Sequence, residues 1–215
     1  LLQRRGQSGP DADFVETSVA LCRHPYQTGP LYAIPYVGNS QLFFYRKDLF
    51  EKHSLKEPLT WNDVLAAAKM IHEKETTGAN GRQIHGYVMR AAQGNAAVAD
   101  FMPILWAFGG NMLDIDGASA TVNTPQAIAA LEFMIELGKY SPPGYVSFNA
   151  SEVGAHMLQG TAAMSINWPA WLGSFSDASK SKVIGKMEFT TLPSARKPGQ
   201  AEIGNWVIAI PRYAQ

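Results

Sequence analysis

The segment at residues 31–50 constrains the fold most, because it carries two strand-like halves separated by a polar break. The first half, residues 31–36, is apolar and aromatic but contains Pro35, which has no N–H group for a sheet ladder. This half is therefore predicted at a sheet edge or at the end of a crossover. Residues 38–41 are polar, and residues 42–45 predict a short buried strand rich in aromatic side chains.

Helices and short strands alternate along the rest of the chain, which indicates an α/β layer structure. Helices are predicted at residues 14–22, 49–53, from 60, 96–108, from 124, and 151–158. Strands are predicted at residues 84–89, 161–167, 187–192 and 207–210, with a hairpin at 111–122 around Asp116-Gly117. Residues 1–13 are predicted as a loose polar lead-in, and residues 77–81 as a loop.

Local signals fix several helix ends. Thr60 and Asp63 predict a capping box, and Asp48 is predicted to be the N-cap of the helix at 49–53. Thr124 followed by Pro125 predicts another helix start. Helical spacing then predicts two buried faces. They are Trp61, Val64, Leu65, Ala68 and Ile71 in one helix, and Ile128, Leu131, Met134 and Ile135 in the other.

Composition excludes several classes of protein. Hydrophobic residues make up 46% of the 215 residues and charged residues 17%, which argues against disorder. The formal net charge is zero, so nothing favours a nucleic-acid partner. Apolar runs are too short to span a bilayer. Cys22 is the only cysteine, no Cys/His cluster has metal-ligand spacing, and we expect neither a metal nor a cofactor.

Four segments in order along the chain resemble the sugar-binding subunits of ABC importers, within the extracellular solute-binding proteins. The segment at residues 31–50 resembles their first hinge crossover. The other three are Phe108-Gly109-Gly110-Asn111-Met112-Leu113, Met164-Ser165-Ile166-Asn167-Trp168-Pro169, and Gly204-Asn205-Trp206-Val207-Ile208-Ala209-Ile210. Residues 1–30 match poorly.

The resemblance implies an α/β fold of the type II periplasmic-binding-protein kind. Residues 37–203 would form most of the second lobe, 1–36 a remnant of the first lobe with a hinge strand, and 204–215 a return hinge strand. The chain is then expected to be an internal portion of a longer protein. The signal sequence would lie in the missing part.

The function that the resemblance implies is carbohydrate capture for import. Two lobes would close on a sugar or sugar-like molecule and present it to membrane permease subunits. Such a protein performs no covalent chemistry, is a monomer when full length, and is periplasmic or extracellular, with a lipid anchor as one option. A carbohydrate-active hydrolase and a ligand-binding sensor ectodomain are the alternatives.

Three tryptophans are candidate ligand contacts. Trp168 and Trp171 follow a predicted strand end, where open α/β sheets place ligands, and Trp206 opens a predicted strand behind Gly204-Asn205. Aromatic faces suit the C–H faces of a sugar ring. Core packing is the alternative for each, and it is the interpretation chosen for Trp61 and Trp106.

Polar residues complete the predicted site. They are Tyr36, Asn39, Gln41, Gln93, Asn95, Asp100, Asn167 and Asn205. Asn39 occupies the hinge position where maltose-binding proteins carry a ligand-binding glutamate, so the charge is absent here. Turn chemistry is the alternative for Gln93 and Asn95, and helix capping for Asn167.

Catalytic motifs are not found. No nucleophile elbow, phosphate-binding loop or dinucleotide fingerprint occurs, and Asp114-Ile115-Asp116-Gly117 fits a hairpin turn better than a calcium loop. The five histidines show no paired spacing, and His72 and His156 are expected to be solvated. The sequence leaves open whether the chain contains the carboxylate pair of a glycosidase, because the two members of such a pair need not be close in the chain.

Overall fold

The computed structural model describes residues 13–77, 81–114, 116–211 and 213. The predicted lead-in at 1–13, apart from Asp13, and most of the predicted loop at 77–81 lie outside the described residues. The chain divides into two compact units. Unit 1 contains the described residues up to Ser40 and from Ile203 onward, and unit 2 contains Gln41–Glu202.

Unit 1 is built on a two-stranded antiparallel sheet. Strand β1, Ile34–Val37, pairs with β5, which spans Trp206–Ile208. Ile34 lies opposite Ile208, and Val37 opposite Trp206. Since both strands of a two-stranded sheet are edges, Pro35 leaves no interior ladder position empty, and the predicted edge placement is confirmed. Helix α1, Glu16–Ala20, completes the unit and is shorter than the predicted 14–22.

Unit 2 contains a three-stranded antiparallel sheet in which β2, Leu42–Arg46, is the central strand. Its neighbours are β3, Met164–Asn167, and β4, Met187–Thr190. Phe43 and Phe44 have no accessible surface and belong to two different clusters of core residues. A strand covered on both faces loses its polar/apolar alternation, which explains the continuous apolar run at residues 42–45.

Among its described residues, unit 2 contains six α-helices. They are α2 Lys47–Lys52, α3 Trp61–Lys74, α4 Asn95–Ala107, α5 Pro125–Gly138, α6 Ala150–Gln159 and α7 Leu172–Phe175. The capping box of α3 is confirmed, with Thr60 Oγ1 accepting from the Asp63 N–H at 3.1 Å. The predicted N-cap at Asp48 is wrong. α2 begins at Lys47, and Asp48 pairs with Arg46 instead.

The buried face predicted for α5 is largely wrong. Ile128, Leu131 and Ile135 are 46%, 50% and 57% exposed, and of the predicted set only Met134 is buried. The buried stripe is Ala127, Ala130, Phe133, Met134 and Leu137. Both stripes are apolar and helically spaced, so periodicity alone does not choose between them. Packing decides, because the Phe133 ring lies against Trp61 and Phe108, with ring centroids 5.9 and 5.2 Å away.

Two predicted strand segments are reduced to single bridges. Residues 84–89 are extended but joined to the sheet by one parallel bridge, His85 with Ala162, and by the Val88 N–H donating to the Met164 carbonyl at 2.9 Å. The predicted hairpin at 111–122 has one bridge, Leu113 with Ala120. Segments with so few paired residues do not form a regular ladder of backbone hydrogen bonds.

His72 and His156 are half-buried rather than solvated, so that expectation is wrong. His156 Nδ1 lies 2.8 Å from Thr161 Oγ1, and its ring stacks on Phe148. Within the described ranges, no group of three or more His, Cys, Asp or Glu side chains is arranged to hold a metal ion. None of the described helices has the length and apolar character needed to cross a membrane.

Candidate functional site

The end of the unit 2 sheet where β2 begins gathers most of the predicted polar and aromatic residues of that unit. Leu42 of β2 lies opposite Asn167 of β3, so Gln41 and Trp168 extend from the same end. The extended segment at 85–90 runs parallel beside β3 and brings Arg90 to this end. β3 is antiparallel to β2, so Trp168 is placed by register with β2 and not by the parallel-strand rule that suggested it.

A buried ion pair lies at the centre of this end. Arg90 and Asp100 are 5% and 1% exposed. Arg90 Nε donates to Asp100 Oδ1 at 2.7 Å, and the Arg90 backbone N–H donates to Asp100 Oδ2 at 2.7 Å. Burial raises the pKa of the Asp100 carboxyl above its ordinary value, and the adjacent Arg90 opposes that shift. The carboxylate of Asp100, a predicted ligand contact, is thus already bonded to Arg90. This geometry favours a role in positioning Arg90.

Trp168 stands against this ion pair. The Arg90 guanidinium carbon lies 5.4 Å from the centroid of the Trp168 ring, within cation–π distance. The Trp168 backbone N–H donates to Asn167 Oδ1 at 2.9 Å. The indole is half-buried, so it is held by protein groups and still presents accessible surface. A rigidly held aromatic ring of this kind loses little side-chain entropy when a ligand stacks on it.

Asn167 does not cap a helix. Trp168 is the N-cap of the 3₁₀ turn Pro169–Trp171, which has no side-chain cap. The Asn167 side chain is buried, and its Nδ2 has no hydrogen-bond partner among the described residues. A buried amide donor without an acceptor is costly, and a ligand hydroxyl is one group that would remove the cost. The ligand contact predicted for Asn167 stays a prediction.

Gln41 has a structural role that its position in the sequence does not reveal. It is 1% exposed, its Nε2 donates to the Ala99 carbonyl at 2.8 Å, and its Oε1 accepts from the Glu202 N–H at 3.0 Å. The amide therefore ties the start of β2 to α4 and to the end of unit 2. This geometry favours a structural role over the predicted ligand contact.

Trp171 packs in the core of unit 2. Its ring lies so close to Gly154 of α6 that a Cβ at that glycine would clash with it. It also packs against the apolar cluster that contains Phe44 and Phe175. Of the two interpretations weighed for Trp171, the geometry favours core packing. Gln93 and Asn95, in contrast, are exposed around Gly94 at the start of α4, and their predicted contacts stay predictions.

Unit 1 carries the remaining predicted residues. Tyr36 and Trp206 are 72% and 70% exposed on β1 and β5. The Asn205 side chain is hydrogen-bonded to Ser18 of α1. Its Nδ2 donates to the Ser18 carbonyl and its Oδ1 accepts from Ser18 Oγ, both at 3.1 Å. The Asn39 carbonyl accepts from the Gly204 N–H at 2.8 Å. Ligand contact by these four residues stays a prediction.

Sequence reasoning missed Arg90, which begins a segment predicted only as a polar loop. A usable signal exists in α4, where Asp100 is the single charged residue of an otherwise apolar helix. A carboxylate in that position predicts a buried cationic partner, because an unpaired buried charge is strongly disfavoured. The identity of that partner depends on the tertiary fold.

The family comparison agrees with this architecture. A family model described as bacterial extracellular solute-binding protein matches residues 5–215. The chain belongs to this family, and the resemblance noted in the sequence is confirmed.

Particular relatives are more informative about ligands. The chain is 26% identical over 213 residues to a probable ABC transporter-binding protein of Deinococcus radiodurans, covering 97% of this chain and 50% of that protein. It is 28% identical over 192 residues to the mannitol-binding protein of Pseudomonas aeruginosa, covering 85% and 42%. The chain thus spans about half the length of the curated relatives it matches.

Solved structures show the same likeness. An ABC transporter solute-binding protein from Agrobacterium radiobacter in complex with ribitol has a TM-score of 0.86 at 27% identity, covering 100% of this chain and 52% of that one. Maltose-bound MalE3 of T. maritima has a TM-score of 0.84 at 29% identity, covering 94% and 50%. The predicted α/β periplasmic-binding-protein-like fold is confirmed.

Proposed function

We propose that this chain is part of a carbohydrate-binding component of a bacterial ABC importer, and that unit 2 contributes a stacking surface for a sugar or sugar alcohol. The observation that carries the proposal is Trp168, which follows β3 and is held against the buried Arg90–Asp100 pair while remaining partly exposed. Aromatic rings of this kind stack on the C–H faces of polyols.

A neutral ligand fits the electrostatics of this end of the sheet. Arg90 and Asp100 compensate each other, so the ion pair beside Trp168 is a dipole rather than a net charge. Glu202, whose carboxylate accepts from Gln41 Nε2 at 3.4 Å, adds one negative charge near this end. The amide groups of Gln93, Asn95 and Asn167 in unit 2 are suitable partners for hydroxyl groups because an amide both donates and accepts. Relatives whose names specify mannitol, ribitol and maltose bind this class of neutral molecule.

The transport role of the whole protein follows from the family. We infer that the complete protein has two lobes, that residues 37–203 belong to its second lobe, and that it closes on its ligand outside the cytoplasm and delivers it to membrane permease subunits. Relatives named as ABC transporter-binding and periplasmic-binding proteins support this role. The protein is then a monomeric carrier without catalytic turnover, and a lipid anchor is one way for it to be held at the membrane.

Isothermal titration of the full-length protein with mannitol, ribitol and maltose tests the proposal. We expect saturable binding of at least one of them, and Trp168→Ala to weaken it by about 1–3 kcal/mol, the size of a desolvated aromatic contact. Tyr32→Ala removes an aromatic ring that is 66% exposed in unit 1 and outside the predicted site, and is expected to leave binding unchanged.

Two outcomes would contradict the proposal. If Trp168→Ala lowers the free energy of unfolding by about 3–5 kcal/mol without a binding defect, Trp168 is a core residue. If the bound sugar is recovered as a hydrolysis product, the hydrolase alternative replaces the carrier. Chemical denaturation of the same variant and chromatography of the recovered ligand distinguish these cases.

A further inference from the structure

A second concave site lies at the opposite end of the unit 2 sheet. β2 ends there at Arg46, whose backbone N–H donates to the Ala163 carbonyl at 2.9 Å. The backbone N–H of the next residue, Lys47, donates to the Lys186 carbonyl at 2.9 Å. These bonds bring together the end of β2, the turn before β3, and the loop before β4. A pocket of about 390 Å³ opens between them and the end of α3.

The pocket is lined by an excess of positive charge. Its five cationic side chains are Arg46, Lys52, Arg82, Lys182 and Lys186. Only two carboxylates, Asp48 and Glu75, line the same pocket. This excess is local, since the formal net charge of the whole chain is zero.

The two carboxylates are already occupied by two of the cations. Arg46 Nε and Nη2 donate to the two oxygens of Asp48 at 2.6 and 2.7 Å, and Lys52 Nζ donates to Glu75 Oε1 at 2.6 Å. Arg82, Lys182 and Lys186 have no carboxylate within ion-pair distance in the described part of the chain. These three side chains therefore supply the positive charge that the two carboxylates of the pocket do not neutralise.

The floor of the pocket is formed by backbone and a buried guanidinium. Arg46 is 6% exposed, and its Nη1 donates to the Gly160 carbonyl at 3.3 Å. Gly160 ends α6 with φ of 71°, and a Cβ there would lie 2.8 Å from Val183 Cγ1 and 3.0 Å from Arg46 Nη1. The absence of a side chain at Gly160 thus permits the close approach of Val183 and Arg46.

We propose that this pocket binds a small oxyanion of phosphoryl type, either free phosphate or a small phosphorylated molecule. Its size lies at the lower end of small-molecule sites. The planar donor array of Arg82 and the ammonium groups of Lys182 and Lys186 match a tetrahedral dianion that accepts several charge-assisted hydrogen bonds. The site lies at the other end of the sheet from Trp168, and it is independent of the proposed sugar site.

Titration of the full-length protein with inorganic phosphate and with methyl phosphate, an ester without a sugar ring, tests this proposal, with sodium chloride adjusted to constant ionic strength. We expect saturable binding of at least one, with a rise in melting temperature. Stronger binding of the ester identifies a phosphorylated molecule as the ligand, and equal binding identifies the free oxyanion. Lack of saturable binding of either, or an equal response to chloride, overturns the proposal.

A pair of double variants locates the binding. Lys182→Gln with Lys186→Gln removes two unpaired cations from the pocket and is expected to weaken phosphate binding about tenfold or more. Lys56→Gln with Lys69→Gln removes the same charge from exposed positions of unit 2 outside the pocket, and is expected to have little effect. Equal weakening by both pairs would show general charge attraction and overturn the site. Polyol titration of the same variants separates this result from the proposed sugar function.

Discussion

The two ends of β2 place arginine in opposite electrostatic settings. At the end where β2 begins, Arg90 is matched by Asp100 and both are buried. At the end where β2 stops, Arg46 is matched by Asp48, but three further cations around it have no described carboxylate partner. One end is aromatic and contains a compensated ion pair with one further carboxylate, that of Glu202, nearby, whereas the other is cationic and has no aromatic residue among its described pocket-lining residues.

This difference shows how one small sheet can support two kinds of ligand surface. A compensated ion pair orients a neighbouring ring without attracting ions, which suits neutral polyols. Cations left in contact with solvent keep their field and attract anions. Burial and pairing, and not the number of charged residues at each end, make the difference.

The largest expected effect tests the buried pair. Arg90→Met leaves the Asp100 carboxylate buried without its partner, and we expect the free energy of unfolding to fall by about 3–5 kcal/mol. Urea denaturation at neutral pH measures it. Lys182→Met, at the opposite end, removes an exposed cation and is expected to change stability by less than about 0.5 kcal/mol.

The double variant Arg90→Met with Asp100→Leu sharpens this test. It removes both charges, so much of the loss is expected to be recovered, because a paired apolar replacement leaves no unpaired charge. Equal stability of the single and double variants would show that the loss does not come from an unpaired Asp100 carboxylate, and the contrast between the two ends would fail.

An intermediate effect is expected at the floor of the cationic pocket. Gly160→Ala places a Cβ in a left-handed backbone conformation and against Val183, so we expect a loss of about 2–3 kcal/mol. Gly185→Ala is a matched control, because Gly185 has a φ of 70° with no atom within 4 Å of the added Cβ. It carries the backbone cost alone, about 1–2 kcal/mol. Identical losses in thermal denaturation would contradict the proposed close approach at Gly160.

The last expected effect concerns the pH dependence of stability at the cationic end. Burial, together with the nearby His72 and His156, lowers the pKa of His85 to about 4 from an ordinary value of 6.5. The unfolded chain therefore takes up a proton at a higher pH than the folded protein. The stability linked to His85 is fully present above pH 6.5 and is lost as pH falls from 6.5 to 4.

Melting temperatures between pH 7 and pH 4 measure that linkage. His85→Leu is expected to make the decline with acid shallower than in the unsubstituted protein. His24→Leu changes an exposed histidine in unit 1 and should leave the slope unchanged. A slope that His85→Leu does not alter would mean that other groups cause the acid sensitivity.

The sequence by itself determined the features that depend on neighbouring residues. The apolar run at residues 42–45 forms the buried strand β2, Thr60 and Asp63 form the capping box, and Thr124 with Pro125 begins α5. Each depends on local backbone chemistry or on a short periodic pattern, which a few adjacent residues define completely. The family match follows from the order of such segments along the chain.

Only the tertiary structure decided which of several acceptable surfaces is used. Ile128 and Phe133 lie on different apolar stripes of α5, and packing of Phe133 against Trp61 and Phe108 accompanies burial of its stripe. Gln41 and Trp171 have the residue types of ligand contacts, but partners far away in sequence occupy them. Arg90 meets Asp100, and Arg46 meets Gly160, only after β2, β3 and α4 have packed. A pattern of residues restricts which contacts are favourable, and the three-dimensional arrangement of the chain selects among them.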